Sequence, residues 1–253
     1  GLSATPYRKD GKGNVFEAHI GTVAVSTKME TLIPRVIMCG TNWQVPEVWN
    51  YKKNKLAPLN IPAGRTIIAA KYLEADSHRT DIIVSFLKTC VVKGRNIVVF
   101  SDTVSHLQSI HAACLAAGME DSDDMFGYYC GLSSEPYTKT YFEVTGKKLG
   151  RSKSTNPTGW KLMQRDKAKL ARVCLATYKM TSEATDVPWW DTCVLATPKA
   201  DVVQIVGRIR REYPDKKTPV VLDLCDNNHA LLKAFAGSRY KWYKSIGATV
   251  AQK

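Results

Sequence analysis

Four short stretches dominated by apolar residues, at 98–100, 173–176, 194–196 and 220–224, limit what this chain can become. Each is too short for a helix core, and its apolar residues do not alternate with polar ones. Such runs are strands buried on both faces, the kind found inside parallel sheets. Between them lie helical segments. Gly94-Arg95-Asn96 leads into the first run, and Ser101-Asp102-Thr103 follows it as a helix N-cap signal, with Gly118 as the matching C-cap. The segment 81–92 before this run reads as an amphipathic helix packed on it. Weaker runs at 37–38 and 126–129 add two further strands. Strands alternating with helices imply an α/β fold, a parallel sheet with helices on both faces. Ligands of such sheets bind at the C-terminal ends of the strands.

Composition narrows the class. The chain has 253 residues, 44% apolar and 23% charged, ordinary values for a globular protein. No run of eighteen apolar residues and no signal-peptide pattern occurs, so neither a membrane span nor export is expected. Seven cysteines are scattered without a C-x-x-C, and the five histidines show no ligand spacing. The expectation is reduced thiols in an intracellular, cytoplasmic protein with no metal site of its own. The net charge is +13, from 36 Lys and Arg against 23 Asp and Glu, which suits a phosphate backbone as partner.

The densest chemistry lies in Gln204-Ile205-Val206-Gly207-Arg208-Ile209-Arg210-Arg211, after a strand ending in Ala196-Thr197-Pro198. On a helix, Arg208 and Arg211 share a face, with Gln204 on the same side, and Gly207 lets another backbone come close. Guanidinium forks at that spacing suit the terminal phosphate of a nucleotide. Upstream, the run 173–176 leads into Thr177 and a polar loop carrying Glu183 and Asp186. Residues 97–102 alone would also pass for a Walker B strand with Asp102 as metal ligand, but their distance from the arginine helix fits another place in the order. The chain opens on Gly1-Leu2-Ser3-Ala4-Thr5-Pro6, followed by Arg8-Lys9-Asp10.

Taken in order, these segments resemble motifs III, IV, V and VI of superfamily 2 helicases, in particular the XPB/UvsW-like branch with its phage and large-virus repair and recombination enzymes. The resemblance implies a RecA-like, P-loop NTPase-type domain. Residues 1–27 would be the tail of a first such domain and 28–253 the second. Ser3, Ala4 and Thr5 would couple the two domains. Arg208 and Arg211 would be arginine fingers, with Gln204 on the nucleotide or its water. Asp186, Glu183 and Gly207 would lie near ATP, and Ser101 and Thr177 would hold nucleic-acid phosphates. The family's loop carries Gly between its Glu and Asp; here Ala184-Thr185 stand there.

A P-loop is absent. The nearest approach, Gly146-Lys147-Lys148-Leu149-Gly150, places its second Gly one residue early and without a following Lys. ATP and Mg²⁺ would therefore be held mainly by a P-loop-bearing N-terminal half, in cis or in trans. The implied function is the C-terminal motor half of an ATP-dependent DNA helicase or translocase in repair, recombination or replication. The alternative is a non-catalytic nucleic-acid-binding protein derived from such a half.

Residues 139–172 read as a basic insertion, with Glu143 and Asp166 its only acids. Lys147, Lys148, Arg151 and Lys153 would follow a DNA strand and Trp160 would stack on a base; a solvated loop is the other reading. Tyr51-Lys52-Lys53-Asn54-Lys55 reads as a solvated linker. Residues 239–244 read either as a stacking surface or as a last helix packed on the sheet. Trp189-Trp190 reads as a structural anchor.

Overall fold

The computed structural model describes residues 31–61, 67–131, 158–181 and 187–253, together with Ala18 and Pro136. The chain divides into two units, Gly1–Thr31 and Leu32–Lys253. The second begins with strand β1 (Arg35–Gly40), the hairpin β2 (Glu47–Asn50) and β3 (Lys55–Pro58), and helices α1 (Ile67–Leu73) and α2 (Ser77–Val92). Then come β4 (Ile97–Ser101), α3 (Val104–Ala116), β5 (Phe126–Tyr129), α4 (Thr158–Ala168) and β6 (Val173–Thr177). A 3₁₀ turn (Tyr178–Thr181), β7 (Thr192–Leu195), α5 (Val203–Ile209), β8 (Val220–Cys225), α6 (Ala230–Ser245) and β9 (Thr249–Gln252) follow.

Seven of these strands form one sheet in the order β5-β6-β4-β7-β8-β1-β9. Every pairing in it is parallel. This is the α/β architecture that the apolar runs imply. The period of two along β4 splits its side chains between two cores. Val98 and Phe100 join Cys174, Ala176, Leu195 and Val221 under α5 and α6, through Ile205, Val206, Ile209 and Tyr243. Ile97 and Val99 join Val173, Leu175, Val194 and Leu222 under α2 and α3, through Ile83, Leu87, Leu107 and Ile110. The central strands β4 and β6 are buried along their whole length.

Local chemistry sets the ends of the elements. Thr103 caps α3 by accepting a bond from the His106 amide, and Asp76 caps α2 through the His78 amide. Gly118, past the end of α3, has φ +83°, a conformation cheap only for glycine. Gly127 in β5 matters for a different reason: a Cβ there would lie 2.4 Å from Ala168 Cα at the end of α4.

The structure refines the sequence reading in three places. The described end of the basic stretch is helical, α4 from Thr158, and three cations of this end are engaged by the fold while Lys167 stays exposed. Lys161 is buried, Arg165 lies 5.1 Å from the centre of the Tyr129 ring, and Arg172 donates to Asn96 Oδ1 at 2.9 Å. The 51–55 cluster belongs to the β2–β3 hairpin rather than to a linker: residues 51–54 form its turn and Lys55 opens β3. Asn50 Oδ1 accepts the amides of Lys52 and Lys53, and Asn54 takes φ +47°. Finally, β9 is a polar edge strand that no apolar run announces.

The C-terminal stretch is a helix packed on the sheet: Arg239 and Tyr243 of α6 are buried, and Tyr240 and Trp242 pack against the same core. Trp190 is buried in that core and Trp189 packs on it. Among the described residues, no helix is long and apolar enough to cross a membrane.

Candidate functional site

Because the sheet is parallel, the C-terminal ends of its strands share one rim. Ser101 ends β4 and Thr177 ends β6, and the two are register partners in adjacent strands. The sequence-predicted phosphate residues therefore stand side by side. Their side chains differ in what they can do. Ser101 is fully buried; its hydroxyl lies 3.1 Å from His106 Nδ1 and accepts the Thr103 amide at 3.4 Å. Burial, aided by the charge of Arg79, holds the His106 pKa down to about 3, so the ring is neutral. Ser101 as placed orients the start of α3, its hydroxyl engaged within the chain by His106 and the Thr103 amide. Thr177 retains slight exposure where the 3₁₀ turn begins.

The loop after β7 is fastened at this rim from every side. The Asp102 carboxylate pairs with Lys199 and accepts from Thr197 Oγ1 at 3.0 Å, while the Asp102 amide donates to Thr197 Oγ1. Asp102 thus clamps a loop, which answers the Walker B reading. Tyr178 Oη donates to the Thr197 carbonyl at 2.7 Å, and Arg239 Nη1 to the Lys199 carbonyl at 2.5 Å. Arg239 is itself held by Asp223 through two bonds of 2.8 and 2.7 Å, and Tyr243 Oη donates to Asp223 at 3.0 Å. On the other face, Arg79 donates to the Ala196 carbonyl at 2.7 Å and pairs with Asp226, which also accepts from Thr41 at 2.6 Å. Sequence reasoning missed Arg79, Asp226, Asp223 and Arg239. The signal was present in Asp223 and Asp226, two carboxylates in or beside an apolar strand, which require buried partners.

The arginine segment departs from expectation in its placement. Gln204 is exposed at the start of α5, and Arg208 is half-buried in its last turn. The helix ends at Ile209, so Arg211 lies beyond it rather than on its face. Nor does the segment run along the C-terminal rim. As a crossover helix, α5 leads away from it. The Arg210 carbonyl accepts the Leu32 amide at 2.8 Å, and Arg210 Nε donates to the Leu32 carbonyl at 3.0 Å, just before β1 begins. Lys216 Nζ bridges the carbonyls of Arg211 (2.8 Å) and Pro188 (2.6 Å), the latter just before β7. Burial lowers the Lys216 pKa to about 8. Arg208 and Arg211 thus belong to the end of the sheet opposite Ser101 and Thr177. Beside Gly207, a Cβ would meet nothing within 4 Å among the described residues.

Ser3, Ala4, Thr5, Lys147, Lys148, Arg151, Lys153, Glu183 and Asp186 lie outside the described residues, as does the side chain of Trp160. Val187 and Pro188, which follow Asp186, lie at the arginine end through the Lys216 bridge. Among the described residues no group of His, Cys, Asp and Glu could hold a metal ion.

No family model matches this chain. Over 86 residues it is 30% identical to a protein of Acanthamoeba polyphaga mimivirus named "Putative ATP-dependent RNA helicase L396", a stretch covering 34% of this chain and 17% of that protein. Among solved structures, T4 UvsW superposes with a TM-score of 0.50 at 16% identity, over 88% of this chain and 42% of UvsW. Saccharomyces cerevisiae Dbp5 bound to RNA and ADP BeF3 gives 0.55 at 11% identity, over 99% of this chain and 50% of Dbp5. The chain thus spans half the length of these relatives or less. At such identities the structural likeness is one of fold. That fold is the RecA-like domain found as the C-terminal half of helicases. More particularly, the fold is shared with T4 UvsW and Dbp5, and an 86-residue stretch is similar in sequence to the mimivirus protein.

Proposed function

We propose that this chain is the C-terminal motor half of an ATP-dependent nucleic-acid helicase or translocase, and that the strand it follows is DNA. The observation that supports this best is the separation of two kinds of group on one parallel sheet. Thr177 stands at the C-terminal rim, and Arg208 and Arg211 at the opposite end. A motor needs both a strand-holding and a nucleotide-sensing surface, joined by a stiff body. The fastened rim and doubly packed sheet supply the stiffness.

In this reading Arg208 and Arg211 reach the terminal phosphate of an ATP held on the P-loop of an N-terminal half. Gln204 contacts the nucleotide or its water, and Glu183, Asp186 and Gly207 line the same cleft. ATP with Mg²⁺, when bound, supplies a phosphoryl group whose hydrolysis changes the cleft. Ser3, Ala4 and Thr5 transmit that change between the halves. Thr177 grips the strand, while Lys147, Lys148, Arg151, Lys153 and Trp160 extend the contact. The choice of DNA rests on the likeness of Ser3-Ala4-Thr5-Pro6 and Arg8-Lys9-Asp10 to the XPB/UvsW-like branch. RNA is the second reading, favoured by the names of L396 and Dbp5.

The test is strand-stimulated ATP turnover of the chain joined to its P-loop-bearing half, with DNA and RNA compared as activators. Arg208→Ala or Arg211→Ala should lower turnover by about 10³-fold, the scale of arginine fingers. Turnover that survives both substitutions, with strand binding lost instead, would assign these arginines to the strand and overturn the reading.

A further inference from the structure

The β2–β3 hairpin stands outside the seven-stranded sheet and has two unlike faces. Its inner side, through Val48, packs on a small cluster of Trp43, Leu59, Ile61, Ala69, Leu73 and Leu232. On the outer side Trp49 and Leu56 are cross-strand partners, exposed by 48% and 57%. Tyr51, at the start of the turn, is 88% exposed. Three apolar side chains displayed together are an unusual use of surface, because each could have been buried or replaced by a polar residue.

Their setting indicates what covers them. Lys52, Lys53 and Lys55 follow Tyr51 closely in sequence and are all exposed, and no Asp or Glu occurs from Val48 to Leu73. Lys52 and Lys53 occupy the turn and only Lys55 lies in a strand, as the first residue of β3, so guarding the strand edges against pairing does not explain the pair in the turn. The turn is also built to hold its shape. Asn50 Oδ1 accepts the Lys52 and Lys53 amides at 3.1 Å each, and the Leu59 amide donates to the Pro46 carbonyl at 2.8 Å at the hairpin's base. Exposed aromatic rings on and beside a fixed turn that carries cations match a strand with exposed bases and phosphates. Rings stack on bases of any sequence, and lysines neutralise the backbone.

We infer that this hairpin is a second binding surface for single-stranded nucleic acid, with Trp49 and Tyr51 stacking on bases and Lys52, Lys53 and Lys55 on the flanking phosphates. The inference rests on the nucleic-acid part of the proposed function and is independent of its ATP part. An ATPase test that fails therefore leaves it standing.

The experiment measures binding of this chain, without ATP, to fluorescein-labelled oligo(dT), oligo(U) and a blunt duplex by anisotropy. All five residues are exposed, so their replacement should leave thermal unfolding unchanged, and a melt of each variant checks this. Trp49→Ala with Tyr51→Ala should weaken single-strand binding about tenfold or more and affect the duplex much less. Lys52→Ala, Lys53→Ala and Lys55→Ala together should flatten the dependence of log K on log salt by about 0.7 per lost contact. Unchanged single-strand affinity, or an equal loss on the duplex, would overturn the proposal. So would a change of oligomeric state with affinity intact, which would make the face a protein interface.

Discussion

Arg79 and Asp226 are fully enclosed, and the charge of each is offset chiefly by the other. Removing one partner of such a pair leaves a charge buried without compensation, while removing both costs far less. Arg79→Met should therefore destabilise the fold by about 3–5 kcal/mol in urea unfolding, and Asp226→Leu added to it should recover much of that loss. A double variant no better than the single one would show that Arg79 acts mainly through its bond to the Ala196 carbonyl. His106 makes a second prediction. Its folded pKa of about 3 lies below the ordinary value near 6.5. Below pH 6.5 the unfolded chain takes up a proton that the folded chain refuses. The contribution is thus complete above about pH 6.5 and declines as the pH falls toward 3. Between pH 6.5 and 4.5 the loss should be roughly 2–3 kcal/mol. It should be absent from a His106→Gln variant followed by the same urea titration.

At the scale of elements, legibility followed burial. The strands that became β4, β6, β7 and β8 could be read because burial on both faces left only apolar residues in them. The hairpin and β9 could not, since each exposes most of its residues and carries no such run. The basic stretch misled for a related reason. Lys161, Arg165 and Arg172 look like solvent charges in the sequence, but their partners, such as Asn96, are distant in it and only the fold brings them close. Gly127 hides in the same way, because nothing local shows that α4 will end against it. Gly127→Ala would force a Cβ into the backbone of Ala168 and should destabilise the fold by roughly 1–3 kcal/mol, read as a lower urea midpoint. An unchanged midpoint would mean that α4 can move aside without cost. The arginine motif was read from residue types and spacing. Its position was not: neither the end of α5 at Ile209 nor its course away from the C-terminal rim follows from residue spacing.

Across the whole molecule, the distance between the two ends of the sheet becomes a functional prediction. If Thr177 serves the strand and Arg211 serves the nucleotide, damage at one end should not be felt directly at the other, because the core between them is rigid and closely packed. Thr177→Val removes a hydroxyl while keeping the β-branched shape that β6 requires. In the protein joined to its P-loop half it should weaken oligonucleotide binding by about fivefold, the worth of one hydrogen bond. Turnover at saturating strand should stay near normal. Arg211→Ala should do the reverse, sparing affinity while turnover falls. The chain alone, lacking a P-loop, should bind strands yet hydrolyse no ATP, with or without either substitution. Anisotropy and phosphate release on the same preparations separate these outcomes. Should both variants depress both quantities alike, the two ends would form one site, and the division of labour read from the sheet would be wrong.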